Sequence, residues 1–199
     1  MNQLDFCKQE IIKYSHLSYA RGLVTAAGGN ISMRAGDQAV ITASNVSLRD
    51  VTEENLIVCD LNGNVLDAPA GQIPSKETIM HLKIFQNRSD IDSVIHVHPP
   101  YCIGFSIQNR SIPICTVSAQ MKVIDVPMAP CEKPGSKELS DSIEALLKKM
   151  PENLHAILLK NHGTIVFEKG MGNCFNTTEL VEDTAHIAYI SEHINPAVK

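Results

Sequence analysis

Two histidines in residues 92–100, Asp-Ser-Val-Ile-His-Val-His-Pro-Pro, are the side chains best placed to do chemistry. The β-branched residues predict a buried strand, which the Pro-Pro pair ends. Because strand side chains alternate between faces, His96 and His98 should share one face, with Val97 directed into the layer behind the sheet. Two adjacent imidazoles suit zinc or another divalent metal. Two hydrogen-bonded histidines at a strand end would give the same pattern, so a third ligand is needed.

His162 is the candidate third ligand. It lies in the turn Asn161-His162-Gly163, between the predicted strands 156–159 and 164–167. A histidine at a tight turn between two buried strands can meet the other two at the end of the sheet.

Two groups of small residues, at the ends of predicted strands, suggest a site that binds an anion. Gly28, Gly29 and Asn30 come immediately before a short predicted strand. The consecutive Gly28 and Gly29 let backbone N–H groups converge, and Asn30 adds a side-chain amide. Ser44 and Asn45 follow a later strand. A Gly-Gly-Asn sequence alone is more often just a turn.

A predicted helix from Ser75 to about residue 86 adds charged groups. With Ser75 as N-cap, Lys76 and Glu77 fall in the first turn, where free N–H groups and a lysine favour an anion. Glu77 could also merely complement the helix dipole. His81, one turn further on, could pair with Glu77 on a metal, although we favour a structural histidine.

Other elements must position these residues. The periodicity predicts a last helix over 176–193 that buries Tyr189, and a β-branched run over 123–126 predicts one of two short strands in 109–128. Further predicted elements are helices over 4–21 and 101–107, a helix capped by Ser136, a hairpin of 31–34 with 39–42, and a strand over 56–59.

Composition bounds the function. The 199 residues, 44% hydrophobic and 20% charged, suit a single domain over residues 1–199. The net charge of −5 argues against a nucleic-acid partner. The absence of a transmembrane-length apolar run or a signal-peptide pattern argues against a membrane partner and predicts a cytoplasmic protein. The six cysteines contain no Cys-x-x-Cys pair and predict reduced core thiols.

Four segments together resemble the class II aldolase/adducin family: residues 28–32, 74–77, 96–99 and 161–163. Their order and spacing agree with that family from about residue 4 to residue 195. The resemblance implies an α/β fold, a three-layer α/β/α sandwich around a central, mostly antiparallel sheet. It also implies a homotetramer with active sites between subunits.

The resemblance implies a zinc-dependent sugar-phosphate aldolase similar to L-fuculose-phosphate aldolases. Such an enzyme cleaves a ketose phosphate to dihydroxyacetone phosphate and an aldehyde through a metal-stabilised enediolate. His96, His98 and His162 would bind zinc, and Glu77 would be the acid/base and a metal ligand when substrate is absent. The phosphate would lie against Gly28, Gly29, Asn30, Ser44, Asn45, Ser75 and Lys76.

The chain departs from the family pattern at three places. Lys76 replaces the second serine of Pro-Ser-Ser-Glu, as in the branch that decarboxylates 3-oxo-tetronate 4-phosphates. Residues 112–117 lack the tyrosine that protonates the aldehyde oxygen in fuculose-phosphate aldolases. Because the chain ends at Lys199, the C-terminal tail that closes over some of these sites is expected to be short or absent.

Three alternative functions follow in order of preference. The first is the metal-dependent decarboxylase, because of Lys76. The second is a ribulose-phosphate 4-epimerase, although that branch usually carries aspartate at the place of Glu77. The third is a non-catalytic adducin-like module, which is disfavoured because all three histidines and the glutamate are present.

Overall fold

The computed structural model describes residues 2–194, which form one eight-stranded sheet with helices on both sides. The strand order is β4-β3-β2-β1-β5-β8-β7-β6. The strands are β1 (Asn30–Ala35), β2 (Gln38–Thr42), β3 (Leu56–Asp60), β4 (Val65–Asp67), β5 (Ser93–Val97), β6 (Met128–Ala129), β7 (Ala156–Leu159) and β8 (Gly163–Glu168). The helices are α1 (Gln3–Ala20), α2 (Thr78–Asn87), α3 (Pro100–Ile107), α4 (Val117–Lys122), α5 (Lys137–Leu147) and α6 (Met171–Ile194).

Strand β5 lies in the middle of the sheet, between β1 and β8, and pairs antiparallel with both. Asn30 faces His96 on one side of β5, and Ile165 faces it on the other. Among the described strands only β6 and β7 pair in parallel. The sheet is therefore mostly antiparallel, as predicted.

Two apolar layers cover the sheet. Helices α1, α3, α4 and α6 pack on one face, and α2 and α5 pack on the other. Within β5, Ile95 and Val97 enter the first layer and Val94 enters the second, which follows the alternation expected of a strand. The predicted α/β/α sandwich is confirmed, and Val97 points behind the sheet as expected.

The prediction of two strands in residues 109–128 was wrong. Helix α4 occupies part of this segment, Val123 ends it, and Ile124 has φ +65°. Val123 and Val126 are buried in the layer shared with α1 and α6. Val123 and Val126 are thus satisfied by burial against helices and not by strand pairing, while Ile124 is 40% exposed.

The predicted last helix needs two corrections. Helix α6 begins at Met171, earlier than expected, and Tyr189 on it is 45% exposed. Tyr189 lies 4.2 Å from His193 and 5.5 Å from Tyr101 between ring centroids, so it packs in an outer aromatic group. None of the helices within residues 2–194 is both long and apolar enough to cross a membrane. The prediction about the C-terminal tail falls on residues outside those described.

Candidate active site

Three imidazoles converge at the end of the sheet. His96 lies in β5, His98 follows the strand, and His162 lies in the turn between β7 and β8. Their candidate ligand nitrogens all lie within 4.8 Å of one another. The Nε2 atoms of His96 and His98 are 3.1 Å apart. The structure therefore brings together the three histidines that the strand pattern and the turn predicted.

His96 is held in one orientation by the backbone of β8. Its ring is fully buried, and Nδ1 lies 2.8 Å from the carbonyl oxygen of Thr164. A carbonyl only accepts, so Nδ1 carries the proton, and the lone pair of Nε2 faces the other imidazoles. This arrangement is typical of a histidine that binds a metal through Nε2.

Two glycines admit the imidazoles. A Cβ at Gly28 would lie 2.6 Å from Nδ1 of His98, and a Cβ at Gly163 would collide with the carbonyl oxygen of Val97. Both contacts are too close for a Cβ atom. The backbone can therefore approach the histidines at Gly28 and Gly163 only because glycine has no side chain.

Glu77 turns its carboxylate toward the same cluster. The residue is 6% exposed. Oε2 accepts from Nδ2 of Asn30 at 2.9 Å and lies 3.1 Å from Nε2 of His96, while Oε1 lies 3.5 Å from Nε2 of His162. The carboxylate thus faces two of the three imidazoles.

The prediction that Ser75 is the N-cap of α2 was wrong, because Glu77 occupies that position. The carbonyl oxygen of Ser75 accepts from the N–H of Thr78 at 3.1 Å, and its Oγ accepts from the N–H of Glu77 at 3.3 Å. This turn precedes the helix and directs Glu77 back toward the sheet.

The protonation states follow from burial and charge. Burial lowers the pKa of His98 to about 3 and that of His162 to about 4, with nearby His96 adding to the effect. Burial alone would raise the pKa of Glu77, but His96, His162 and the Asn30 amide outweigh it and lower that pKa. At neutral pH His98 and His162 are therefore neutral imidazoles beside an ionised carboxylate.

This donor set fits a divalent cation such as zinc. Neutral imidazole nitrogens and a carboxylate oxygen are among its usual ligands. In addition, Oε1 of Glu77 is buried without a hydrogen-bond partner among the described residues. A buried carboxylate oxygen costs free energy unless a cation or donor satisfies it.

His81 does not join the imidazole cluster. It is fully buried, and Nδ1 lies 2.7 Å from Oγ of Ser32 on β1. Burial lowers its pKa to about 3. His81 therefore lies behind Glu77 as a neutral packing residue, in keeping with our preferred interpretation.

A cavity of about 290 Å³ opens beside Glu77, His98 and His162. The segments predicted to bind phosphate all line it: Gly28, Gly29, Asn30, Ser44, Asn45, Ser75 and Lys76. Two backbone hydrogen bonds hold their segments together, from Ser44 N to Ile73 O at 2.9 Å and from Ser75 N to Thr42 O at 3.3 Å. The glycine turn is required here, because Gly29 has φ +75°.

Lys76 supplies the only cationic side chain among the described residues of this lining. It is exposed, and it makes no ion pair within residues 2–194. Sequence reasoning missed the wall beside it, where Pro134 lines the cavity and Gly135 packs against Lys76. The Pro134-Gly135 pair predicted a loop, but nothing in the sequence indicated that this loop would lie against Lys76.

Comparison with known proteins was made for sequence and structure. The family model described as "Class II Aldolase and Adducin N-terminal domain" matches residues 9–189. An L-fuculose phosphate aldolase of Methanococcus maripaludis is 35% identical over 188 residues, 93% of this chain and 97% of that protein. A 5-deoxy-D-ribulose 1-phosphate aldolase of Bacillus thuringiensis is 28% identical, over 94% of this chain and 86% of its own. A solved L-fuculose 1-phosphate aldolase superposes with a TM-score of 0.84 at 31% identity, covering 95% of this chain and 87% of that one.

Proposed function

Because the chain belongs to the class II aldolase and adducin family, and is thus a carbon–carbon lyase, we propose that it is a zinc-dependent sugar-phosphate aldolase. Its substrate would be a ketose phosphate, cleaved to dihydroxyacetone phosphate and an aldehyde. The observation that carries the proposal is the buried carboxylate of Glu77, 3.1 Å from His96 and 3.5 Å from His162. A proton carrier beside three imidazoles that can hold a metal is the minimum that such a cleavage needs.

His96, His98 and His162 would hold the metal. A divalent ion there would supply a Lewis acid for the negative charge that develops on substrate oxygens as the carbon–carbon bond breaks. Glu77 would exchange the proton at carbon or at the hydroxyl group, since its carboxylate is ionised in the resting site. Asn30 would keep that carboxylate aimed at the imidazoles through its 2.9 Å hydrogen bond.

The phosphate would lie in the cavity beside this centre. Gly28 and Gly29 would present backbone N–H groups, Ser44, Asn45 and Ser75 small polar groups, and Lys76 a positive charge. We assign Asn30 first to Glu77, because one N–H of its Nδ2 already donates to that carboxylate; the second N–H is the only donor that its side chain has left for the phosphate, and Oδ1 is an acceptor. An acceptor does not suit an ionised phosphate.

The proposal names a class of substrate and not one sugar. The two curated relatives act, by their names, on phosphates of two different sugars, fuculose and 5-deoxyribulose. What the two substrates share is a phosphorylated sugar, which is the part that the cavity lining beside Lys76 is suited to hold.

Condensation of dihydroxyacetone phosphate with a panel of aldehydes tests the proposal. Metal-depleted protein, the same protein reloaded with Zn²⁺ or another divalent metal, and a Glu77→Gln variant would be assayed in parallel. We expect condensation only in reloaded protein with Glu77 intact. Full turnover by metal-free protein would overturn the zinc-dependent aldolase.

Lys76 favours a second candidate, decarboxylation of a 3-oxo-tetronate 4-phosphate. An ammonium at the cavity wall could neutralise a substrate carboxylate as well as a phosphate. The two reactions share an enolate, so the same centre could serve either. Release of CO₂ from such a substrate, without condensation of any aldehyde, would favour the decarboxylase. The epimerase and adducin-like alternatives have no comparable residue in their favour.

We also propose the homotetramer that the family resemblance implies, with active sites between subunits. Val117 and Met121 on α4 are 72% and 71% exposed, which suits a surface covered by another subunit. Light scattering would then give four times the chain mass of 21.8 kDa. The cytoplasmic location stays a prediction.

A further inference from the structure

The first turn of α3 is capped by a carboxylate from a different helix. Glu182 on α6 accepts from the N–H of Tyr101 through Oε1 and from the N–H of Cys102 through Oε2, both at 3.0 Å. Its side chain is half-buried. Each oxygen meets one donor, and these two bonds favour the ionised carboxylate, while burial outweighs them and raises the pKa of Glu182 above its ordinary value.

Helix α3 cannot cap itself. The residue at its N-cap is Pro99, which has no side-chain acceptor, and Pro100 has no N–H. Tyr101 and Cys102 are therefore the first free donors of the helix. A carboxylate also complements the positive end of the helix dipole, so Glu182 fills the role that serine or aspartate usually fills from within.

This cap lies next to the proposed metal centre along the chain. His98 is followed directly by Pro99, so two residues with restricted φ separate it from the capped turn. On its other side, the N–H of His98 donates to the carbonyl oxygen of Leu23 at 3.1 Å. A stiff connection transmits a displacement of the first turn of α3 to the backbone of His98.

We propose that Glu182 is a positioning residue for the metal centre, which holds His98 in place through Pro99 and Pro100 without touching the ion or the substrate. The inference rests on the proposed function, because it requires the three histidines to bind a metal. The competing explanation is a cap that stabilises the fold and leaves the centre unaffected.

The Glu182→Gln variant separates the two explanations. Glutamine keeps the size of the side chain but has one acceptor oxygen, so one of the two capping bonds is lost. We expect the dissociation constant for Zn²⁺, measured by competition with a chromophoric chelator, to rise about tenfold, as for loss of a supporting hydrogen-bond partner. The matched control is Asp183→Asn, an exposed neighbour on the same helix, which should bind Zn²⁺ like the wild type.

A rescue variant tests the route through the cap. Pro99 already has the extended backbone of an N-cap residue, with φ −74° and ψ 131°. A serine at this position can therefore accept a hydrogen bond from the first turn of α3. Because Pro99→Ser also removes a restricted φ, the single Pro99→Ser variant is the baseline, and Glu182→Gln should weaken Zn²⁺ binding much less in that background than in the wild type. Thermal unfolding of the metal-free proteins reports the purely structural effect.

Each outcome decides the matter. If the wild type binds Zn²⁺ and the Glu182→Gln variant binds it with the same dissociation constant, this inference is overturned and the proposed function is not. That conclusion holds even if the variant unfolds at a lower temperature. The inference is also overturned if Glu182→Gln weakens Zn²⁺ binding as much in the Pro99→Ser background as in the wild type. Wild-type protein that fails to bind Zn²⁺ overturns the proposed function and this inference with it.

Discussion

The side-chain amide of Asn30 donates to the carboxylate of Glu77, with 2.9 Å between Nδ2 and Oε2. Asn30 begins β1 and is 4% exposed, while Glu77 lies at the N-cap of α2. The bond therefore joins the sheet to the helix that carries the proposed proton carrier. Asn30 also pairs with His96 across the ladder, so one residue sets the carboxylate and its nearest imidazole together.

Replacing Asn30 with alanine should lower kcat about tenfold while metal content stays intact, because the carboxylate loses the donor that aims it. Steady-state kinetics with metal analysis measures this. A raised KM with unchanged kcat would instead assign Asn30 to the phosphate.

Glu77→Gln should keep the fold and the metal but lower kcat by a factor of about 10²–10⁴, since a proton carrier is removed while the shape is retained. Circular dichroism, metal analysis and turnover are compared on one preparation. An unchanged kcat would reduce Glu77 to a residue that complements the helix dipole.

His96→Ala should lose metal and activity together, because the buried Nε2 is the nitrogen closest to both His98 and Glu77. Elemental analysis after dialysis is the measurement. The control is His193→Ala on the exposed side of α6, which should retain both properties. Retention of one metal per chain by His96→Ala would contradict the proposed ligand set.

Lys76→Ser should raise KM for phosphorylated substrates, and the difference from wild type should shrink at high salt, because the exposed ammonium acts through a screened charge. If the protein is the decarboxylase, kcat for the 3-oxo acid phosphate should fall as well, while aldol cleavage is spared. Lys148→Ser, at the C-cap of α5, is the control for a general charge effect. Equal KM and kcat in wild type and variant, for both substrate classes, would leave Lys76 a surface residue.

Gly28→Ala should weaken metal binding about tenfold, because the new methyl group would lie 2.6 Å from Nδ1 of His98 and overpacking of this kind costs about 1–3 kcal/mol. The control is Gly104→Ala, where a Cβ meets nothing within 4 Å. Zn²⁺ titration of both variants makes the comparison. Wild-type affinity in Gly28→Ala would mean that the ligand position of His98 tolerates a shift.

The sequence predicted the imidazoles because strand geometry is local. Alternation alone places His96 and His98 on one face of the strand, and a turn between two strands places His162 at the end of the sheet. The segment 123–126 failed by the same reasoning, since its β-branched residues fit a buried coil as well as a strand. Propensity reports what a segment tolerates, and tertiary packing decides between the options.

The supporting residues could not be predicted because their partners are distant in the chain. Nothing near Glu182 indicates that it meets Tyr101, and nothing near Pro134 indicates that it lines the cavity beside Lys76. Asn30 was singled out for a different role, as a phosphate ligand. The resemblance to a family supplied the chemistry of the site, and the coordinates supplied the contacts that hold it.

The two halves of the sheet come from consecutive parts of the chain, β1 to β5 first and β6 to β8 afterwards. Strands β1 to β5 occupy one side of the sheet, and they carry Asn30 and His96, with Glu77 and His98 nearby. His162 lies in the turn before β8, so the pairing of β8 with β5 brings it to the other two histidines. A nascent chain that ends before residue 162 lacks one of the three imidazoles of the proposed metal centre. If the three histidines bind the metal as proposed, the complete ligand set forms only after most of the polypeptide has emerged.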